Sequence, residues 1–173
     1  MQQVSDNPDS QHRALDICYC DFDGVAHDDA VYWSAHDGVH LRTPGRTLFE
    51  WLPILEELLA PYPDIKIVLS TSWVRVKGFD YAKRQLTTSL QSRVIGATFN
   101  NAETQKFDFD NMSRGEQICA DVERRRPTRW FALDNDERGW PGWCHDQLIK
   151  TEDRLGLSDL GVQDTIRKML TTF

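Results

Sequence analysis

Short apolar runs alternate with segments of helical periodicity along most of this sequence, and the alternation limits the possible folds more than any other feature. The apolar run at 14–20 ends abruptly at charged residues, which is typical of a buried parallel strand. Further strands are predicted at 65–69, 94–99, 130–133 and, as a short fifth strand, 147–151. Helices are predicted at 48–59, 80–90, 113–125 and 160–170. This order predicts an α/β fold with a Rossmann-like, doubly wound, mainly parallel sheet.

Local signals refine these elements. Ser113 followed by Glu116 is the capping-box pattern of a helix N-terminus, and Pro53 is compatible with a helix only near its start. Residues 30–43 predict a β-hairpin, because strand-forming residues flank a turn that contains Gly38. Residues 100–111 are expected to form a polar loop, and residues 1–13 a loose tail before a single domain at 14–173.

Composition indicates how many domains the chain forms and in which compartment it is expected. A chain of 173 residues with 40% apolar residues suits one packed domain. No stretch approaches the roughly 18 to 20 apolar residues needed to cross a bilayer, and the first residues do not resemble a secretory signal, so we expect a cytoplasmic location. The four cysteines lack a Cys-x-x-Cys spacing and are expected to be small core residues.

The net charge bears on whether the protein has a basic surface for nucleic acids. The net charge of −7 argues against a broadly basic nucleic-acid surface, although it leaves room for a local basic groove. The arginine run at 124–126 ends a predicted helix at the opposite end of the sheet from the strand carboxyl ends, and helix C-termini favour cations. It is therefore not expected to guide a substrate.

Polar clusters follow three of the predicted strands. They are DFD at 21–23, STS at 70–72 and DND at 134–136. Ligands of such sheets bind beyond the carboxyl ends of the strands, so these clusters should share one edge. Acids gathered there would repel each other, which implies a divalent cation, and oxygen ligands suit Mg²⁺. A carboxylate can attack a phosphoryl group while a second acid protonates the leaving oxygen and then activates water.

These clusters carry a family resemblance. The segments DFDGV at 21–25, IVLST at 67–71 and LDND at 133–136 resemble motifs I, II and IV of the haloacid dehalogenase (HAD) superfamily. The segment LSTSW at 69–73 and the run at 114–118 are similar, more narrowly, to the HAD domains associated with Swiss-army-knife RNA repair proteins. The resemblance covers roughly residues 15–155.

The resemblance implies a role for each matching residue. Asp21 matches the nucleophile, and Asp23 matches the general acid/base. Asp21, the backbone carbonyl of Asp23 and Asp134 match the Mg²⁺ ligands. Thr71 matches the phosphate-binding hydroxyl, with Ser72 beside it and Ser70 as the alternative if the register differs by one. The remaining site positions are Arg114, for the phosphate, and Asn135 and Asp136, for the outer metal shell.

Two positions depart from the family's usual motifs. Motif III is most often lysine, and the best-placed cation here is Arg114, which keeps the charge and can contact two oxygens. Motif IV often has two adjacent acids, whereas Asn135 occupies the second place here. The stretches on either side of motif II are too short for an ordinary cap domain. We therefore expect an open site with the hairpin as a small flap, which suits a phosphate on a large substrate such as an RNA or DNA end.

Other interpretations remain open at this stage. Each cluster alone could be a turn or a helix cap. His27 could orient Asp23, but a surface histidine is favoured. Trp73, Trp140 and Trp143 could stack on a base near the site, but packing is favoured. The chain could also be a non-catalytic phospho-binding domain resembling response-regulator receivers, or a phosphatase of small metabolites.

Overall fold

The computed structural model describes residues 14–100 and 106–173. A five-stranded parallel sheet runs through them in the order β5-β4-β1-β6-β7. Its strands are β1 (Asp16–Cys20), β4 (Lys66–Leu69), β5 (Val94–Ala97), β6 (Arg129–Asp134) and β7 (Leu148–Lys150), while β2 (Val31–Ser34) and β3 (Gly38–Leu41) form a separate hairpin. The predicted α/β, mainly parallel architecture is confirmed, including the short fifth strand. The predicted loose tail lies outside the described residues.

Helices cover both faces of the sheet. They are α1 (Leu52–Leu59), α2 (Ser72–Lys77), α3 (Phe79–Arg84), α4 (Thr88–Arg93), α5 (Lys106–Asn111), α6 (Arg114–Arg125) and α7 (Leu160–Leu170). All five residues of β1 are buried, because their side chains alternate between two cores. Cys18 belongs to the larger core and Tyr19 to the smaller one. A central strand buried on both faces explains why the run at 14–20 is so apolar.

The helix boundaries agree with the prediction where the capping signals are strong. Ser113 caps α6 with a complete capping box together with Glu116, and α7 has the predicted bounds. The helix predicted at 48–59 begins instead at Leu52, because Phe49 has a positive φ of 62° that a helix does not allow. Pro53 lies in the first turn, as expected.

The single helix predicted at 80–90 is wrong. The chain forms α2, α3 and α4 between β4 and β5. Gly78 has a φ of 94° and separates α2 from α3, and the Thr87 hydroxyl accepts the Leu90 N–H to start α4. The polar loop predicted at 100–111 also ends in a short helix, α5, while residues 101–105 lie outside the described part of the chain.

The remaining expectations concern cysteines and the arginine run. All four cysteines are free and buried. Arg124 and Arg125 pair with the buried carboxylate of Asp121, which also accepts the Tyr19 hydroxyl at 3.0 Å. Arg124 and Arg125 thus neutralise the carboxylate that joins α6 to β1. Within residues 14–100 and 106–173, no helix is both long and apolar enough to cross a bilayer.

Candidate active site

Backbone hydrogen bonds bring the ends of β1, β4 and β6 to one edge of the sheet. The Asp21 N–H donates to the Leu133 carbonyl at 3.1 Å, and the Ser70 N–H donates to the Cys20 carbonyl at 2.9 Å. Because parallel strands end on the same side, the three polar clusters lie together, as the sequence predicts.

Asp21 is almost fully enclosed, with 3% of its surface exposed. Its Oδ1 accepts the Phe22 N–H at 2.7 Å, and its carboxylate accepts a side-chain hydrogen bond from Thr71. Its Oδ2 lies 3.5 Å from a guanidinium nitrogen of Arg114. Burial raises the pKa of Asp21 above its usual range, while Arg114 acts against that rise.

Arg114 joins the two buried acids at the site. The guanidinium that contacts Asp21 also places Nε 3.1 Å from Oδ2 of Asp134. Burial alone would lower the pKa of Arg114, but the carboxylates of Asp21 and Asp134 raise it overall. The guanidinium is therefore charged and shared between the ends of β1 and β6.

The first turn of α6 sets the position of Arg114. Gly115 lies so close to the chain after β6 that a Cβ there would come within 2.4 Å of the Gly139 carbonyl oxygen. The absence of a side chain at this position allows the helix to start against the loop that follows Asp134. Arg114 is thereby held directly beside that acid.

The carboxylate of Asp134 tests whether these residues fit a divalent cation. Its Oδ1 accepts the Asp136 N–H at 2.9 Å, but its Oδ2 is buried and has no aligned hydrogen bond within the described part of the chain. Burial, followed by repulsion from Asp21, raises the pKa of Asp134 well above its usual range. A divalent cation bound by these carboxylates would coordinate this oxygen, which Nε of Arg114 approaches at 3.1 Å without an aligned hydrogen bond, and would offset the repulsion.

The donor set is nevertheless small. Among the residues that the structure describes, no three His, Cys, Asp or Glu side chains are grouped so that they could hold a metal by themselves. Two carboxylates supplemented by a backbone carbonyl and water suit Mg²⁺, which usually keeps several waters. The residues present therefore fit Mg²⁺ better than a metal that demands a full shell of side chains.

Asp23 is held by two aromatic donors. The indole N–H of Trp73 donates to its carboxylate at 2.9 Å, and Nε2 of His27 lies 3.1 Å from the same oxygen. Nδ1 of His27 accepts the Phe49 N–H at 3.2 Å, which leaves the proton on Nε2 to face Asp23. His27 is fully buried, so the favoured prediction of a surface histidine is wrong and the orienting alternative describes its position.

The hydroxyl cluster after β4 divides into different environments. Thr71 caps α2 and is 5% exposed. Ser72 is exposed and lines the openings beside the site. Ser70 is fully buried, and its hydroxyl has no partner among the described residues. Thr71, rather than Ser70, therefore lies beside Asp21.

The two predicted outer-shell residues occupy different positions. Asn135 lies over Gly24, where an added Cβ would come within 2.6 Å of the Asn135 amide nitrogen, and it donates to Asp153 at 3.0 Å. Asp136 pairs with Arg138 at 2.7 Å. Both border the opening above Asp21, and their role toward a metal stays a prediction.

The tryptophans expected near the site have three different surroundings. Trp73 is buried against Asp23, and Trp140 is buried and donates to the Asp136 carbonyl at 3.1 Å. Trp143 is 66% exposed and packs into no core. The favoured packing interpretation holds for the first two.

Two clefts open beside these acids. A polar cleft of about 590 Å³ contains Thr71, Arg75, Arg114 and Arg138 among its walls. A second cleft of about 520 Å³ lies between the hairpin and α2. Asp29 lines this second cleft, and burial, followed by the charge of Asp23, raises its pKa to about 6. The site is thus strongly anionic in the middle and basic on one side.

Comparison with known families decides the assignment. The family model "HAD domain in Swiss Army Knife RNA repair proteins" matches residues 17–162. The chain belongs to this HAD family. The match spans every strand of the sheet except the first residue of β1, and all the site residues described above. A search of curated proteins found no match.

Proposed function

We propose that this HAD domain is a Mg²⁺-dependent phosphohydrolase that works through an aspartyl-phosphate on Asp21. Membership of the family suggests a phosphohydrolase. The observation that best supports the finer proposal is the Arg114 guanidinium, which lies within 3.5 Å of Asp21 and 3.1 Å of Asp134. One cation between two buried carboxylates, with the Thr71 hydroxyl beside them, provides a nucleophile and positive charge for a phosphoryl group.

Each residue has a distinct task in this reaction. A carboxylate oxygen of Asp21 attacks phosphorus, while Thr71 and Arg114 stabilise the phosphoryl oxygens. Asp23 donates a proton to the leaving oxygen and later removes one from the water that hydrolyses the aspartyl-phosphate. Asp21, Asp134 and the carbonyl of Asp23 would hold Mg²⁺, which supplies further positive charge to the phosphoryl group.

The proposed substrate is a phosphate at the end of a nucleic acid. The family is associated with RNA repair, and within residues 14–100 and 106–173 the flap consists of the β2–β3 hairpin, which leaves the site open to a large substrate. The arginines of the polar cleft offer a local basic surface on an acidic chain. A small-metabolite phosphatase would more often enclose its substrate.

A substrate screen tests the proposal. Phosphate release should be measured with single-stranded RNA and DNA oligonucleotides phosphorylated at either end, and with mononucleotides and sugar phosphates. We expect the highest kcat/KM on one class of oligonucleotide end, and loss of activity when EDTA removes Mg²⁺. Preference for sugar phosphates would contradict the substrate assignment. A stable phosphorylated protein without multiple turnover would favour a receiver-like domain instead.

The contact between Trp73 and Asp23 predicts a positioning effect. Trp73→Phe removes one donor to Asp23 but keeps an aromatic ring, so we expect about a 10-fold lower kcat on an alkyl phosphate, as for one lost hydrogen bond. The loss should be smaller with p-nitrophenyl phosphate, because its leaving group needs little protonation. Trp130→Phe is the matched control, because it makes the same tryptophan-to-phenylalanine substitution at a residue of the smaller core. Equal losses on both substrates would indicate a merely structural role for Trp73.

A further inference from the structure

The cleft between the hairpin and α2 has an unusual lining for a site surrounded by acids. On the hairpin side the cleft is lined by Val31, Tyr32, Trp33 and Val39. On the α2 side its apolar lining is Trp73 and Val76. Cross-strand pairing places Trp33 opposite Val39, and both therefore face the same side of the hairpin. A mainly apolar, aromatic cleft of about 520 Å³ has room for a planar ring system.

Part of the hairpin packs against the core, while its largest side chain, Trp33, remains exposed to solvent. Val31 and Val39 pack against the main core. Trp33, which pairs with Val39 on the same face, remains 66% exposed. The neighbouring ring of Tyr32 is covered by the guanidinium of Arg42 at 3.6 Å from the ring centroid. Trp33 is thus an uncovered aromatic surface held at a defined place by the valines beside it.

The cleft adjoins the side of the site where the leaving group lies. Asp23 lines both this cleft and the opening above Asp21. In the proposed reaction Asp23 protonates the leaving oxygen, so whatever is attached to that oxygen extends past Asp23. The group attached to that oxygen would therefore extend toward the apolar cleft.

The charges at the edge of the cleft indicate what kind of leaving group fits. Lys77 is exposed on the α2 side of the cleft, and Arg42 lies on the hairpin beside Tyr32. One cation at the rim of an aromatic cleft, with a second on the same hairpin, matches a strand that has a planar base followed by backbone phosphates.

We infer that this cleft binds the unpaired base of the terminal nucleotide of a nucleic-acid strand, with the base stacked on Trp33. The inference rests on the proposed function, because it uses Asp23 to define the leaving-group side. It adds that the protein recognises the base itself, and that a base-paired end must fray before it is used.

A binding experiment tests the inference without turnover. The Asp21→Asn protein with Mg²⁺ is titrated with labelled single-stranded oligonucleotides phosphorylated at the 5′ or the 3′ end, each with a normal or an abasic terminal nucleotide. Fluorescence anisotropy gives Kd. For one type of end, we expect the abasic form to bind about 10-fold more weakly, as for one lost stacking contact.

A second substitution in the Asp21→Asn protein tests whether Trp33 is the residue that contacts the terminal base. Trp33→Ala should weaken binding of the normal end by about the same factor and add little to the abasic loss, since both changes remove one interaction. Trp33→Phe should retain most of the binding. Trp143→Ala is the matched control, because Trp143 is equally exposed and borders neither cleft described above.

The outcomes separate the two proposals. Equal binding of normal and abasic ends, or an equal loss with Trp143→Ala, would overturn the base site while leaving the phosphatase proposal intact. Absence of hydrolysis by the wild-type protein, together with coupling between Trp33 and the terminal base, would overturn only the phosphatase. If Trp33→Ala instead abolishes a dimer in sedimentation equilibrium, the cleft holds a second copy of the chain and the base site is wrong.

Discussion

Replacing Asp21 with asparagine is expected to reduce phosphate release by at least about 1,000-fold, as for loss of a nucleophile. Asparagine has the same shape and still offers an oxygen to the Phe22 N–H, which Asp21 accepts at 2.7 Å. The amide cannot form the acyl phosphate. The measurement is multiple-turnover phosphate release from the best oligonucleotide of the screen, with substrate at saturation and Mg²⁺ present.

The same variant should fold at least as well as the wild-type protein in the absence of Mg²⁺. Burial raises the pKa of Asp21, which means that the folded state is penalised for carrying this charge at neutral pH. The uncharged amide removes that penalty and the repulsion from Asp23 and Asp134. We therefore expect an equal or higher Tm by circular dichroism, together with the lost activity.

Asp28→Asn is the matched control for this substitution. Asp28 is also almost fully buried, and its Oδ1 accepts the Ala30 N–H at 2.7 Å, a bond that asparagine can also form. It contacts neither Thr71 nor Arg114 in any hydrogen bond or ion pair of the described residues. This variant should keep its activity. Turnover retained in Asp21→Asn, or an equal loss in Asp28→Asn, would exclude Asp21 as the nucleophile.

The sequence predicted the site where its signals follow from the geometry of a parallel sheet. A residue directly after a buried parallel strand must lie at the carboxyl edge, whatever the loops do. Asp21, Thr71 and Asp134 therefore came together as expected. Arg114 was also predictable, because the capping pattern at Ser113 and Glu116 marks the first turn of a helix at a known point in the chain.

The surroundings of Asp23 could not be predicted in the same way. His27 is buried because Phe49, at a φ of 62°, places its N–H against the ring. Trp73 reaches Asp23 from the first turn of α2, 50 residues along the chain. Both contacts depend on how a loop and a helix pack over β1, and no local periodicity reports on such packing. The exposure of Trp33 could not be predicted for a related reason, since only the folded hairpin shows that its ring is uncovered.

The helix error has a simpler physical origin. Apolar spacing between Asp80 and Leu90 is compatible with one helix, but the backbone is interrupted on both sides of α3. Gly78 takes a φ of 94° that other residues rarely adopt, and the hydroxyl of Thr87 competes for a backbone N–H. Such breaks hardly disturb the apolar spacing of the sequence, although they divide the segment into separate helices.

Removing the guanidinium of Arg114 should have the second large effect. Arg114→Ala leaves the buried carboxylates of Asp21 and Asp134 without the cation that lies within 3.5 Å and 3.1 Å of them. Breaking a buried ion pair in this way costs about 3 kcal/mol or more of the free energy of unfolding. The phosphoryl group also loses a positive charge, so kcat should fall by about 100-fold or more. Chemical denaturation and steady-state kinetics measure the two effects.

Two further variants separate the effect of the positive charge at position 114 from the effect of the guanidinium geometry. Arg114→Lys keeps one positive charge but cannot place two nitrogens against two carboxylates, so its losses should be intermediate. Arg75→Ala removes another arginine from the polar cleft, where it pairs with Asp110 at 3.1 Å on a partly exposed surface, and should change stability little. If Arg114→Ala were no less stable than Arg75→Ala, the guanidinium would not be the cation that balances the two acids.

The effect of Mg²⁺ on thermal stability should differ between Arg114→Ala and the wild-type protein. In Arg114→Ala, the carboxylates of Asp21 and Asp134 lose the guanidinium between them, and Oδ2 of Asp134 loses the cation that lies 3.1 Å away. A ligand that binds only the folded state stabilises it by an amount that grows with the logarithm of the ligand concentration divided by Kd. Mg²⁺ should therefore raise the Tm of Arg114→Ala more than that of the wild-type protein, because it also relieves repulsion that Arg114 normally offsets. An equal Mg²⁺ shift in Arg114→Ala, Asp134→Asn and wild-type protein would show that the metal binds elsewhere.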